Sequence, residues 1–161
     1  RITCQVYGDG PLLKQLTALR DSLGLEHDVH FAGERSREAI IQALHSSEVF
    51  VLTPTVTEDG DRDGIPNVLV EAMACGLPVV STSAGGIPEL VTHGENGFLT
   101  APGDVASIEN HIATLLDSPK LRQQMGIAAR RTVESGYDVN MAAERLMRIF
   151  LSEKQTVSAA S

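Results

Sequence analysis

Positive charge is scarce in this chain. Thirteen Lys and Arg stand against 21 Asp and Glu, for a formal net charge of −8. That balance disfavours a polyanionic partner such as DNA or RNA, whose binding rests on neutralising phosphates. It leaves a small phosphate ligand open, because backbone amides hold one locally whatever the net charge. Cysteine is scarcer still: Cys4 and Cys75 are the only two. They make no disulfide framework, and each sits in or beside an apolar run. Both are expected as buried free thiols, in keeping with a reducing compartment. No run reaches the roughly 18 apolar residues of a membrane span. No basic stretch followed by an apolar one opens the chain, so no signal peptide is visible. The five histidines are scattered without an H-x-x-x-H pair, and no Ser/His/Asp or Cys/His set can be assembled. "GDGP" (8–11) lacks the third glycine of a G-x-G-x-x-G fingerprint, with Leu13 in its place. It reads as a tight strand-to-helix turn and not as a dinucleotide signature. There is no internal repeat.

What remains is an ordinary globular composition with a clear alternation. The 161 residues, 42% hydrophobic, argue for one domain able to bury a core without metal or disulfide. "ITCQVY" (2–7) is strand-like. Pro11 suits a first helical turn, and Leu12, Leu13, Leu16, Leu19 and Leu23 then recur at helical spacing up to Gly24. "DVHFAG" (28–33) is a second strand. Ser36 is a candidate cap for a helix through about His45. "EVFVLTP" (48–54) is a third strand, apolar on both faces. A polar loop leads to a helix from Pro66 to Cys75, closed by Gly76. "LPVVST" (77–82) and "GFLT" (97–100) are strands, with one helical turn between them at 88–91. Asp104, Ser118 and Asp138 are candidate caps for three closing helices, and the tail "EKQTVSAAS" is expected to fray. Short strands alternating with helices predict an α/β fold: a Rossmann-like parallel sheet with helices on both faces.

In such a sheet ligands bind beyond the carboxyl ends of the strands, so the loops there carry the candidates. "TVTEDGDRDG" (55–64) is longer than usual for a strand-to-helix connection. Its Asp59, Asp61 and Asp63 suggest a Mg²⁺ or Mn²⁺ site. No further acidic or amide cluster completes an octahedral shell, which favours a solvated loop. "DGIPN" is more specific. Gly64 permits close backbone approach, Pro66 suits a helix start, and the amides near Asn67 and Val68 join the helix dipole in favouring phosphate. Glu71 lies one turn after Asn67 on the same face, and Asp63 lies just before the helix. An ionised carboxylate only accepts hydrogen bonds, so it suits the paired hydroxyls of a sugar and not a phosphate. On geometry alone an ordinary surface role for both acids stays equally open. "SAGGIPE" (83–89) adds a small, glycine-rich turn at the next strand end.

Together these residues carry a resemblance. "DGIPNVLVEAMACGLPVVSTSAGGIPELVTHGENGFL", with "YGDGPLLKQLTALRDSLGLEHDVHFAGERSREAIIQALHSSEVFVLTPTV" before it, resembles the carboxy-terminal, donor-binding domain of GT-B-type, family 4 retaining glycosyltransferases. The resemblance covers about residues 2–135. It implies the C-terminal half of a GT-B fold over residues 1–152, with extra helices at its end, binding a nucleotide-diphosphate sugar. Asp63 and Glu71 match the family's Glu-x7-Glu pair and become the candidate catalytic carboxylates. Glu71 is implied to hold ribose hydroxyls. Asp63, one methylene shorter than the family's Glu, is implied to face the donor hexose. Gly64, Ile65, Pro66, Asn67 and Val68 are implied to hold hexose hydroxyls and diphosphate. Gly33, Glu34 and Arg35 are implied to line the base, and Gly8 to permit close approach below the diphosphate.

The chain starts without Met and after the element where the family carries a diphosphate-neutralising Arg and Lys. The expectation is therefore a fragment without its acceptor domain, holding the donor site and inactive alone. The implied reaction is glycosyl transfer with retention, in glycan, polysaccharide or glycolipid synthesis. No cofactor or metal is expected, since amides and basic residues stabilise the leaving diphosphate in this fold. The expected partners are a nucleotide-sugar donor and a glycan or lipid-linked acceptor. The expected location is the cytoplasm, with peripheral membrane association open for a longer protein. A non-catalytic nucleotide-sugar-binding module and a sugar-nucleotide epimerase are the alternatives.

Overall fold

In a computed structural model of the chain, residues 2–55 and 64–137 are described. Most of the acidic loop, Asp63 included, and the expected helix after Asp138 lie outside them. The chain splits into two compact units, Arg1–Ala43 and Leu44–Ser161.

In the first unit, β1 (Cys4–Tyr7) and β2 (Val29–Gly33) run parallel, with Cys4 beside Val29 and Tyr7 beside Gly33. Between them lies α1 (Leu13–Ser22). Pro11 falls in the turn before this helix. Gly24, at φ 68°, closes it, and its amide donates to the Asp21 carbonyl over 3.1 Å. The residue at that position must adopt a left-handed conformation, and glycine does so without penalty. α2 (Arg37–Ser46) begins in this unit, and Ser36 Oγ accepts from the Ala39 amide at 3.3 Å as the expected cap.

Two expectations need correcting here. None of the residues of α1 is buried, and Leu16 and Leu23 of its apolar stripe are 42% and 62% exposed. Two strands offer too little apolar surface to cover a helix face. Cys4, on a strand that is exposed throughout, is an exposed free thiol and not a buried one.

The second unit holds the core. Its sheet is parallel, in the order β3 (Phe50–Leu52), β4 (Val79–Thr82), β5 (Gly97–Thr100). β3 is shorter than the run expected over 48–54, and at its far end Pro54 has no N–H to extend the ladder. It is not buried on both faces, since Val51 is exposed. The central strand β4 is wholly buried. Against the sheet pack α3 (Asn67–Ala74), α5 (Val105–Asp117) and α6 (Pro119–Gly136), and with α4 (Ile87–Leu90) they bring in the buried Leu69, Met73, Ile87, Leu90, Leu115, Met125 and Ala129. Burying such side chains, at roughly 1.5–3 kcal/mol for each large one, is the main stabilising term.

The two closing helices among the described residues start at the residues expected of them. The Asp104 carboxylate accepts from the Ser107 amide at 3.0 Å and from its hydroxyl at 2.7 Å. These bonds hold the Asp104 carboxyl below its ordinary range. Ser118 Oγ accepts from the Leu121 amide at 3.3 Å. Arg122 donates to the Leu115 and Leu116 carbonyls, 2.7 Å each, and pairs with Glu48 at 2.7 Å. It thereby satisfies the free carbonyls that end α5.

Three close approaches mark where the second unit packs most tightly. A Cβ on Gly97 would lie 2.5 Å from Val79 Cγ2. A Cβ on Gly126 would lie 2.1 Å from the Gly76 carbonyl oxygen, so α6 meets the turn after α3 backbone to backbone. Beside β5, Phe98 stacks on His111 with ring centroids 4.3 Å apart, and His93 meets His111 edge-on at 5.3 Å. Burial, and then the neighbouring His93, press the His111 pKa down. No helix among the described residues is long and apolar enough to cross a membrane.

Candidate functional site

The candidate residues fall into two groups, one in each unit. In the first unit, β1 and β2 end side by side at glycines with positive φ, Gly8 at 124° and Gly33 at 68°. The Gly8 amide donates to the Gly33 carbonyl over 3.1 Å, so these two candidates meet directly. Glu34 and Arg35 follow, both exposed, with Arg35 Nη1 donating to the Glu34 carbonyl at 3.3 Å. The turn after β1 is a backbone device as well. The Gly10 amide donates to Asp9 Oδ1 at 2.7 Å and the Leu13 amide to the Gly10 carbonyl at 3.1 Å.

In the second unit the group is built around the start of α3. Pro66 stands as the extended residue just before the helix, at φ −61° and ψ 126°, so the helix begins at Asn67, one residue later than expected. The Pro66 carbonyl accepts from the amides of Leu69 at 3.0 Å and Val70 at 3.4 Å. The amides of Asn67 and Val68 precede that first intrahelical donor. They sit at the positive end of the helix dipole, where an anion is favoured. Glu71, half-buried, follows one turn later. Its charge reaches Cys75: burial, and then Glu71, push the half-buried Cys75 thiol up, while Arg130 opposes them.

On either side of the long loop's departure, two neighbouring strand ends are tied to each other. Ser81 Oγ donates to the Leu52 carbonyl and Thr82 Oγ1 to the Pro54 carbonyl, each at 2.6 Å. The β3–β4 ladder stops at Leu52 opposite Ser81. The Thr82 hydroxyl thus carries the pairing past it, to the residue where the long loop leaves. After β4, the turn Ala84–Gly86 returns against the start of α3. A Cβ on Gly86 would stand 3.1 Å from Ile65 Cγ1 and 3.4 Å from the Ile65 nitrogen. Gly64–Ile65 and Gly86, expected separately, thus lie in contact. Asp63 lies outside the described residues, as do Asp59 and Asp61.

Sequence reasoning missed the hydroxyls of Ser81 and Thr82, which it took simply as strand residues. The signal was there: two hydroxyl side chains in a row at the end of a buried strand must find acceptors. It also missed Asn96, buried, whose Nδ2 donates to the Leu90 carbonyl at 3.1 Å and to Thr132 Oγ1 at 3.0 Å, while its Oδ1 accepts from the Thr92 amide at 2.8 Å. Thr82→Val keeps shape and removes the tether. It is expected to lower stability by about 1 kcal/mol in urea unfolding, chiefly by leaving the Pro54 carbonyl short of a donor.

Residues 1–132 match the family described as Glycosyl transferases group 1. The chain belongs to that family. Among curated relatives of this group 1 glycosyltransferase chain is the amylovoran biosynthesis glycosyltransferase AmsK of Erwinia amylovora. The two are 37% identical over 145 residues, covering 89% of this chain and 35% of AmsK. Among solved structures, Anabaena Alr3699/HepE in complex with UDP superposes with a TM-score of 0.83 at 31% identity, over 94% of this chain and 41% of that one. The same protein in complex with UDP-glucose gives a TM-score of 0.81 at 33% identity, over 93% and 41%. The chain thus spans between a third and a half of the length of these relatives. Its α/β architecture, with parallel strands and covering helices, is that of GT-B glycosyltransferases.

Proposed function

We propose that this chain is the donor-binding part of a retaining glycosyltransferase, holding a nucleotide-diphosphate sugar for transfer to a glycan or lipid-linked acceptor. One observation carries the reading. The helix start with its open Asn67 and Val68 amides, Gly64–Ile65 packed on Gly86, and Glu71 one turn along occur in a fold shared with a protein solved with UDP-glucose. In this reading the amides from Gly64 to Val68 hold the diphosphate and hexose hydroxyls. Glu71 accepts from the ribose hydroxyls, and Asp63 accepts from the hexose. Gly33, Glu34 and Arg35 line the base, and Gly8 gives clearance below the diphosphate. Amide dipoles act best where charge develops and water is excluded, so no metal is assigned to the leaving group. The acceptor is assigned to a separate domain of a longer protein working in polysaccharide or glycolipid synthesis. That protein is assigned to the cytoplasm, at or near a membrane surface, and the chain alone to binding without transfer.

Titration of the chain, and of the longer protein, with UDP-, GDP- and ADP-sugars tests this. Saturable binding of at least one is expected, and binding of none by either sinks the reading. Asp63 in place of the family's Glu keeps a non-catalytic binding module in view. Donor binding by the longer protein with no turnover across a mixed acceptor panel would favour that module. Isomerised donor in the absence of any acceptor would instead mark an epimerase.

A further inference from the structure

The contact between Gly86 and Ile65 joins two segments of unequal firmness. On one side is α4. Its Ile87 and Leu90 are each 1% exposed. Its far end is fixed by Asn96, which binds the Leu90 carbonyl and the Thr92 amide and reaches Thr132 on α6. Gly86 is the residue immediately before this helix, and Ala84 before it is buried too. Gly86 itself is half-buried, and the buried Ala84 and Ile87 on either side of it anchor this turn. On the other side Gly64 is exposed and Ile65 half-buried, so this segment is the one with space to yield.

We infer that Gly86 is a positioning residue for the donor pocket: its bare Cα sets the height at which Gly64–Ile65, and the amides that follow, lie over the start of α4. The assignment rests on the donor-site reading above. The decisive distance is the 3.1 Å from a Cβ on Gly86 to Ile65 Cγ1, because the Ile65 nitrogen and Gly64 carbon, at 3.4 and 3.5 Å, are in ordinary contact. A methyl group at Gly86 therefore pushes the Ile65 side chain by a few tenths of an ångström, and in the proposed coupling the Ile65 backbone, and with it the Asn67 and Val68 amides, follows. Gly86 has no strained φ, so clearance and not backbone freedom is what demands glycine here. A ligand held by several amides at once is sensitive to such displacements, because each hydrogen bond needs its donor within a narrow range of distance and angle.

The test uses Gly86→Ala, Ile65→Ala and the double variant, with two readouts: the ¹⁵N–¹H shifts of the Ile65, Asn67 and Val68 amides without ligand, and the Kd for UDP-glucose. Gly86→Ala is expected to move those amides while leaving those of α5 in place, and to raise Kd about three- to tenfold, the scale of one weakened hydrogen bond. Removing Cγ1 in the double variant is expected to return both readouts to the Ile65→Ala values. Unmoved amides in Gly86→Ala, moved amides with unchanged Kd, or no rescue in the double variant each overturns the assignment. If the wild-type chain binds no UDP-glucose, the donor is wrong for this site, and the amide shifts and their rescue alone decide the coupling. Thermal melts of all three variants separate displacement from unfolding.

Discussion

Gly126→Ala is expected to destabilise the fold by about 3 kcal/mol, at the upper end for overpacking a core. The added Cβ would fall 2.1 Å from the Gly76 carbonyl oxygen and 3.1 Å from its carbonyl carbon. Both are backbone atoms, so no rotamer change relieves the clash. Gly76 cannot swing aside either. It holds φ 78°, and its amide is fixed to the Met73 carbonyl at 2.9 Å. The remaining response is to part α6 from the α3–β4 turn, which opens the layer containing Met73, Met125 and Ala129, all fully or almost fully buried. Gly136→Ala on the same helix is the control. Nothing lies within 4 Å of its added Cβ, and relief of glycine's entropy cost should make it about 0.5 kcal/mol more stable. The two midpoints in urea measure the difference. Equal midpoints would mean that the helices do not touch at these glycines.

The same glycine shows where sequence reading stops. Ser36, Asp104 and Ser118 were legible as caps and Gly24 and Gly76 as helix ends, because each acts through hydrogen bonds within a few residues of itself. β5 was legible to the residue, since it is short, apolar and bracketed by turn residues. Gly126 was not legible at all. A glycine in the middle of a helix looks like a weak point, and its reason lies fifty positions earlier in the Gly76 carbonyl. The apolar stripe of α1 was read correctly as a stripe, but periodicity marks a face and does not supply its cover. Cys4 failed for the same reason: an apolar neighbourhood in sequence is not burial in space. In the candidate site, the order of Gly64, Pro66, Asn67 and Glu71 along the chain was enough to place them at one helix start. The contact of Gly64–Ile65 with Gly86 and the Thr82 tether to Pro54 are tertiary, and no local pattern encodes them.

Glu71→Ala is expected to weaken nucleotide-sugar binding by about 1.5–3 kcal/mol, the range for hydrogen bonds to a charged group. That corresponds to a roughly 10- to 150-fold higher Kd in calorimetric titration. The reasoning is specific to the hydroxyl acceptor role. A carboxylate near a diphosphate gains nothing from the phosphate itself, so if Glu71 faced that group its removal would tighten binding. In the proposed site a paired ribose diol would donate two hydrogen bonds to it, and removal would cost both. The donor lacking one ribose hydroxyl makes the case sharper: it should already bind the wild type more weakly and lose less on Glu71→Ala, the signature of a shared interaction in a double-mutant cycle. Cys75 supplies a readout that does not depend on the ligand. After burial, the Glu71 charge is what raises its thiol pKa. The variant should therefore hold a larger thiolate fraction at a given pH and react faster with a thiol reagent. A faster thiol together with unchanged donor affinity would show a folded variant with its charge removed, and would take Glu71 out of the donor site.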